Sequence, residues 1–278
     1  MLTAVTGINW GDEGKGRVID LLAEHADIVV RYQGGNNAGH TVVNKQGKFV
    51  LNLLPSGILH PDVVCVLGDG MVIDLNHLSN EIAQIRTQDV SVSPKNLKLS
   101  TRATISMPWH KIQDELEEER LSKSGAAFGS TKRGIAYAYS DKYRKKTIRL
   151  GDLLHLDEEN VQARLKTMLE AKNLELAGCY HQEPMSLSAL LSWCRQKAAK
   201  YAWTVALFYL HRRHGWLTPA SVYSQSALRC FLLISGHSSN KKSEASELAS
   251  DFLFSSLSTI TSCPFRRRLL LALLECPL

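Results

Sequence analysis

No stretch of this 278-residue chain is apolar for the length that a membrane span requires, and no charged segment followed by an apolar one opens it. A cytoplasmic protein without a membrane partner is therefore expected. Cysteine is sparse and unpatterned: Cys65, Cys179, Cys194, Cys230, Cys263 and Cys276 form no CxxC pair and no metal-ligand spacing. That argues against a zinc module or a disulfide framework and for structural thiols in a reducing compartment. Charge imbalance is also lacking. The 33 basic residues face 27 acidic ones and the excess is spread along the chain, which excludes a dedicated nucleic-acid surface. Glycine is lacking in one place only. Residues 204–278 hold two glycines, Gly215 and Gly236, against 13 serines, with four acidic and eight basic residues.

What is present is an apolar content of 44%, enough to bury a substantial core. Residues 1–203 alternate strand and helix patterns. "LTAVTG" (2–7), "DIVVRYQ" (27–33) and "DVVCVLGDG" (62–70) read as strands, and "HTVVNKQGKFVLNLL" (40–54) as a hairpin turning at Asn44–Gly47. "GRVIDLLAEH" (16–25) reads as an amphipathic helix with Val18, Leu21, Leu22 and His25 on one face, and helices are expected at 75–88, 109–121, 158–173 and 187–200. The fold class is α/β, with a mainly parallel, doubly wound sheet. After Trp203 the periodicity is poor, apart from a short helix expected at 268–275. Two readings of 204–278 stand side by side: an exposed, divergent tail, or the product of a frame change or truncation.

Three loops carry chemistry. In "GDEGKGR" (11–17) a strand runs through glycines into a helix, which presents backbone N–H groups to an anion. Gly11, Gly14 and Gly16 allow close approach, and Lys15 adds a point charge. The strict phosphate-loop pattern fails, because Asn9 stands where its first glycine belongs and Gly16 where it has Ser or Thr. With that hydroxyl missing, Asp12 is the nearest candidate to hold a magnesium ion or to take a proton from a substrate. Glu13 reads from its position as an acid favoured by the helix dipole. The second loop, "RYQGGNNAGHT" (31–41), offers the amides of Asn36 and Asn37, and His40 as its acid–base group. The third, "GAAFGSTKRGIAYAYSDKYRKK" (125–146), combines Ser130 and Thr131 with cations. That suits a monophosphate or, equally, a solvated basic loop.

Taken together, "NWGDEGKGR", "RYQGGNNAGHT", "LPSGIL" (54–59) and the 125–146 stretch resemble the signatures of the adenylosuccinate synthetase family over roughly residues 1–203. The resemblance implies a fold related to P-loop nucleotide-binding proteins and GTP-dependent ligation of L-aspartate to IMP. In that chemistry a base deprotonates N1 of IMP and O6 attacks the γ-phosphate of GTP. The amino group of aspartate then displaces phosphate from 6-phosphoryl-IMP, leaving adenylosuccinate, GDP and phosphate. It implies Asp12 as base and magnesium ligand, His40 as the acid that steadies the moving phosphoryl group, and the Gly39 carbonyl as a second Mg2+ ligand. GTP would be held by Gly11, Asp12, Glu13, Gly14, Lys15, Gly16, Arg17, Gly39, His40 and Thr41. IMP would contact Asp12, Glu13, Gly14, Lys15, Asn37, Ala38, Gly39, His40, Thr131 and Lys145. A homodimer is implied.

The chain departs from the family pattern at identifiable points. Arg17 replaces a lysine, and Lys145 stands where many members use an arginine that reaches the partner subunit's IMP site. The glutamine-containing "EGAQG"-like loop, the "TSSNTTAG"-like stretch, the arginine-rich aspartate loop and the "TKxD"-like guanine reader do not occur in 204–278. Two domains are thus expected: a GTP/IMP-binding unit at 1–203 and a divergent tail at 204–278. The alternative to a working synthetase is a truncated, catalytically inactive fragment that grips nucleotide phosphates without preferring guanine.

Overall fold

The computed structural model describes residues 2–6, 14–44, 46–213 and 269–272. Its main sheet joins β1 (Leu2–Val5), β2 (Ile28–Gly34), β5 (Val64–Ile73), β6 (Leu97–Leu99), β7 (Thr104–Ile105) and β8 (Leu269–Ala272). The order is β1-β8-β2-β5-β6, with β7 also on β5, and every pairing is parallel. A separate antiparallel hairpin joins β3 (His40–Asn44) to β4 (Gly47–Leu51), turning where the sequence indicated. The helices are α1 (Lys15–Ala23), α2 (Leu75–Arg86), α3 (Pro108–Lys123), α4 (Ile135–Tyr143), α5 (Leu150–Leu154), α6 (Glu159–Tyr180) and α7 (Leu187–Arg213), with a 3-10 turn at Ser56–Leu59.

Consecutive residues of the central strands are buried, Val29 and Val30 on β2 and Cys65, Val66 and Leu67 on β5. Both faces of the sheet are therefore covered, as a parallel sheet requires. One apolar core runs from Ile19 and Ala23 through these strands to Leu165, Leu176 and Leu190. Cys65, Cys179 and Cys194 are free thiols, the first and last of them buried. Among the described residues no helix is long and apolar enough to cross a membrane.

Three sequence expectations need correction. Leu269–Ala272 is a strand, paired on both sides with β1 and β2, where a short helix was expected. A brief run of leucines carries no period that separates a buried strand from a helix. On α1 the buried face is Gly16, Ile19, Asp20 and Ala23, while Val18, Leu21 and Leu22 are exposed. The small residues and Asp20, which bonds His60 at 3.1 Å, let that face sit close against the hairpin side. Finally, 125–146 is not one loop, because residues 135–143 form α4.

A buried polar cluster ties α3, α4 and α6 together. His110 Nδ1 accepts from the Met107 amide at 3.0 Å, so its Nε2–H donates to Asp141 Oδ2 at 3.0 Å. Lys172 meets the same carboxylate at 3.0 Å. Burial pushes the His110 pKa down from 6.5, against the pull of Asp141, and Lys172 adds to the depression. Protonation would also set a second N–H against the Met107 amide. For Asp141, burial works upward, but the bonds from His110 and Lys172 prevail and hold it below 3.8.

The sign of the pH effect follows from His110. With its folded pKa below 6.5, the unfolded chain binds the extra proton first as pH falls, so stability declines below about pH 6.5. Asp141 stays ionised throughout that range and contributes no slope there. Urea denaturation of the chain between about pH 7 and pH 5.5 should show this decline, and His110→Gln should flatten it. An equally steep slope in the variant would mean that other groups set the acid limb.

Candidate nucleotide site

The candidate site lies beyond the C-terminal ends of the parallel strands, where α/β sheets present their loops. Gly11, Asp12 and Glu13 lie outside the described residues. Gly14 follows them at φ 70°, and its carbonyl accepts from Arg17 N (3.0 Å) and Val18 N (3.1 Å) to open α1. Lys15 begins the helix half-exposed. Arg17 donates through Nη1 to the Val43 carbonyl at 2.6 Å and faces Asp20 at 3.3 Å, tying α1 to the hairpin.

Gly16 is buried under His40. A Cβ there would stand 2.5 Å from His40 Cδ2, so only glycine fits beneath the ring. Beside both, the hydroxyl of Ser56 lies 2.9 Å from the Gly16 carbonyl and 3.2 Å from His40 Nε2. Two of the sequence-predicted loops are thereby joined through a third segment, the "LPSGIL" stretch. Thr41 and Gly39 are exposed, and Asn37 and Ala38 half-exposed, in the same loop. Gly39 packs on Asn52, whose Nδ2 would be 2.7 Å from a Cβ at that position.

The segment carrying Asn52 and Ser56 is held by one carboxylate. Buried Glu81 accepts from the amides of Asn52 (2.7 Å), Leu53 (2.9 Å) and Leu54 (3.1 Å). His77 adds a bond from Nε2 to Asn52 Oδ1 at 3.1 Å.

The third loop is pinned from α3. Asp114 accepts from the Ser130 hydroxyl and from Gly134 N (2.7 Å), and Glu118 from Gly129 N (2.8 Å) and Phe128 N (3.3 Å). Spaced four apart, the two acids share one helix face and grip both ends of the turn. Arg133 then reaches the Asn36 carbonyl, and Ile135 packs on Gly35, so the second and third loops touch. Thr131 is exposed between these anchors, and Lys145 is exposed at φ 61° beyond α4.

Sequence reasoning missed Ser56, Asn52, Glu81, Asp114 and Glu118, as well as two residues on α4. Tyr139 OH accepts from Gly34 N at 2.8 Å and donates to the Gly70 carbonyl at 3.0 Å. Lys142 Nζ donates to the carbonyls of Gly70 (2.7 Å) and Asp69 (3.2 Å). Burial lowers the Lys142 pKa to about 8, against the attraction of Asp69. The one available signal was the spacing of Asp114 and Glu118 on a helix just ahead of a glycine loop. Among the described residues no group of three or more His, Cys, Asp or Glu side chains is placed to hold a metal.

Fold and site together define an α/β protein whose loops converge at the C-terminal edge of a parallel sheet. Residues 4–213 match the family model of adenylosuccinate synthetase. The adenylosuccinate synthetase of Caldicellulosiruptor bescii is 47% identical over 190 residues, covering 68% of this chain and 43% of its own. That of Carboxydothermus hydrogenoformans is 50% identical over 184 residues, covering 66% and 42%. The solved structure of fully ligated adenylosuccinate synthetase from Plasmodium falciparum superimposes with a TM-score of 0.65 at 28% identity, covering 97% of this chain and 50% of that one. The chain belongs to the adenylosuccinate synthetase family. It spans less than half the length of the curated relatives it matches.

Glu81→Ala removes the acceptor of three amides and should cost about 3 kcal/mol, read from the urea midpoint. Glu81→Gln, which keeps one strong acceptor oxygen, should cost less. Equal losses would place the effect in packing rather than in these bonds.

Proposed function

We propose that this chain carries out adenylosuccinate synthetase chemistry: GTP-dependent ligation of L-aspartate to IMP. The observation that carries the reading is the junction at which Gly16, at the start of α1, underlies His40 and shares the Ser56 hydroxyl with it. A group able to steady a moving phosphoryl stands against the first turn of the helix that follows the glycine loop, where backbone N–H groups serve phosphate. In this reading Gly11, Gly14, Lys15, Gly16, Arg17, Gly39 and Thr41 grip the GTP phosphates. Asn37, Ala38, Thr131 and Lys145 contact IMP, and Glu13 serves both nucleotides.

Asp12 takes the N1 proton of IMP, which raises the nucleophilicity of O6 toward the γ-phosphorus. His40 supplies positive charge or a proton as that phosphoryl group moves. The donor set suits Mg2+, a hard cation held through one or two carboxylates, backbone carbonyls and substrate phosphates. The Asp12 carboxylate and the Gly39 carbonyl would hold it, and bound there it would neutralise phosphate charge. A homodimer in the cytoplasm completes the proposal, with Lys145 reaching toward the partner's IMP as a point charge and not as a bidentate grip.

Phosphate release measured with GTP, IMP and aspartate, each omitted in turn, tests the function. Release that requires all three supports it. Retained nucleotide binding with no turnover would identify the inactive fragment instead. Asp12→Asn should abolish turnover while leaving the circular dichroism unchanged, because the amide cannot accept the proton and is a weaker metal ligand. His40→Ala should cost roughly two or more orders of magnitude in kcat with far less change in GTP affinity. Equal losses in rate and affinity would make His40 a binding group.

A further inference from the structure

We propose that Ser56 is a positioning residue for His40, fixing which ring nitrogen carries the proton and holding the ring against the first turn of α1. The inference rests on the reading of His40 as the phosphoryl-steadying group, but its first test does not.

Ser56 is 1% exposed, so water does not complete its bonding. Its hydroxyl has one hydrogen and two contacts, the Gly16 carbonyl at 2.9 Å and His40 Nε2 at 3.2 Å. A carbonyl oxygen can only accept, so the hydrogen goes to Gly16. Were it turned to His40 instead, two oxygen lone pairs would face each other at the shorter of the two distances. The Ser56 oxygen is then an acceptor toward the ring, and Nε2 must carry a proton. In the neutral ring this leaves Nδ1 as the nitrogen without a proton.

Position is fixed with protonation. The 3-10 turn that carries Ser56 follows residues 52–54, which Glu81 clamps through three amides. The ring's other face is closed by Gly16, where no side chain could fit. A serine hydroxyl therefore connects the helix start, the histidine and the clamped segment at one point. Ser56 needs to touch no substrate to do this.

Imidazole nitrogen–proton correlation spectra of the 15N-labelled full chain test the proposal directly. They are recorded near pH 8.5, roughly two units above the ordinary histidine pKa, with His40 assigned by its loss in His40→Gln. The wild-type chain should show His40 as the Nε2–H tautomer, and Ser56→Ala should shift it to Nδ1–H or to a mixture. A wild-type Nδ1–H tautomer, or a Ser56→Ala spectrum with His40 unmoved, overturns the proposal. A merely structural serine would alter the melting temperature and leave the tautomer as it was. In the phosphate-release assay Ser56→Ala should lower kcat roughly tenfold with KM for GTP little changed, a smaller loss than removing His40 itself. A chain without turnover would count against the catalytic reading, while the spectra would still decide the role of Ser56.

Discussion

The arrangement depends on a single close approach, the His40 ring lying where a side chain on Gly16 would stand. Everything nearby serves to keep that approach in register. The hairpin of β3 and β4 delivers His40 at its first residue, and Arg17 bonds the hairpin's Val43 carbonyl from the opposite side. Ser56 fills the remaining edge with a hydroxyl that matches both a helical carbonyl and an imidazole nitrogen. Any larger residue at position 16 would push ring and helix apart and undo the other contacts with them. A gap of even half an ångström forfeits much of the packing energy of such a contact.

Buried acids do the equivalent work farther out. Glu81 binds three successive amides, and Asp114 and Glu118 bind three amides and a hydroxyl across the 128–134 turn. Each carboxylate is compensated by N–H or O–H donors where it sits, which makes a buried acid tolerable and a loop rigid. The loops that a phosphate-binding reading needs are therefore held by carboxylates whose charge is taken up by loop amides and a hydroxyl. Their exposed members, Gly39, Thr41 and Thr131, remain turned to solvent.

Much of this was legible in the sequence, and the reasons it was or was not are physical. The glycine loops, the central strands and the hairpin turn announce themselves because backbone conformation and two-sided burial restrict composition locally. Helix α4 was hidden because "GIAYAYSDKY" is short and lies inside a basic stretch whose charges suggested a solvated loop. Lys142 turned out half-buried and bonded to two strand-end carbonyls. Val18, Leu21 and Leu22 have helical spacing, yet the opposite face is buried, because small Gly16 and Ala23 permit a closer approach than bulk would. Ser56 and Glu81 could not be found from spacing at all. Their partners lie 16 to 40 and 27 to 29 residues away, so their roles exist only once the chain has folded.

Holding a phosphate and choosing a base place different demands on a chain. Gripping phosphate needs backbone amides, one or two cations and a helix start, all of which a short run of sequence can supply. Choosing a base needs polar groups shaped to that base's edge, so that the wrong one leaves buried donors and acceptors unpaired. Those groups must converge from distant segments. A phosphate grip indifferent to the base and a base reader built elsewhere are thus separable parts of one site. Among the described residues Gly16, His40 and Ser56 meet at one point, a junction of the local kind that the first of these tasks requires.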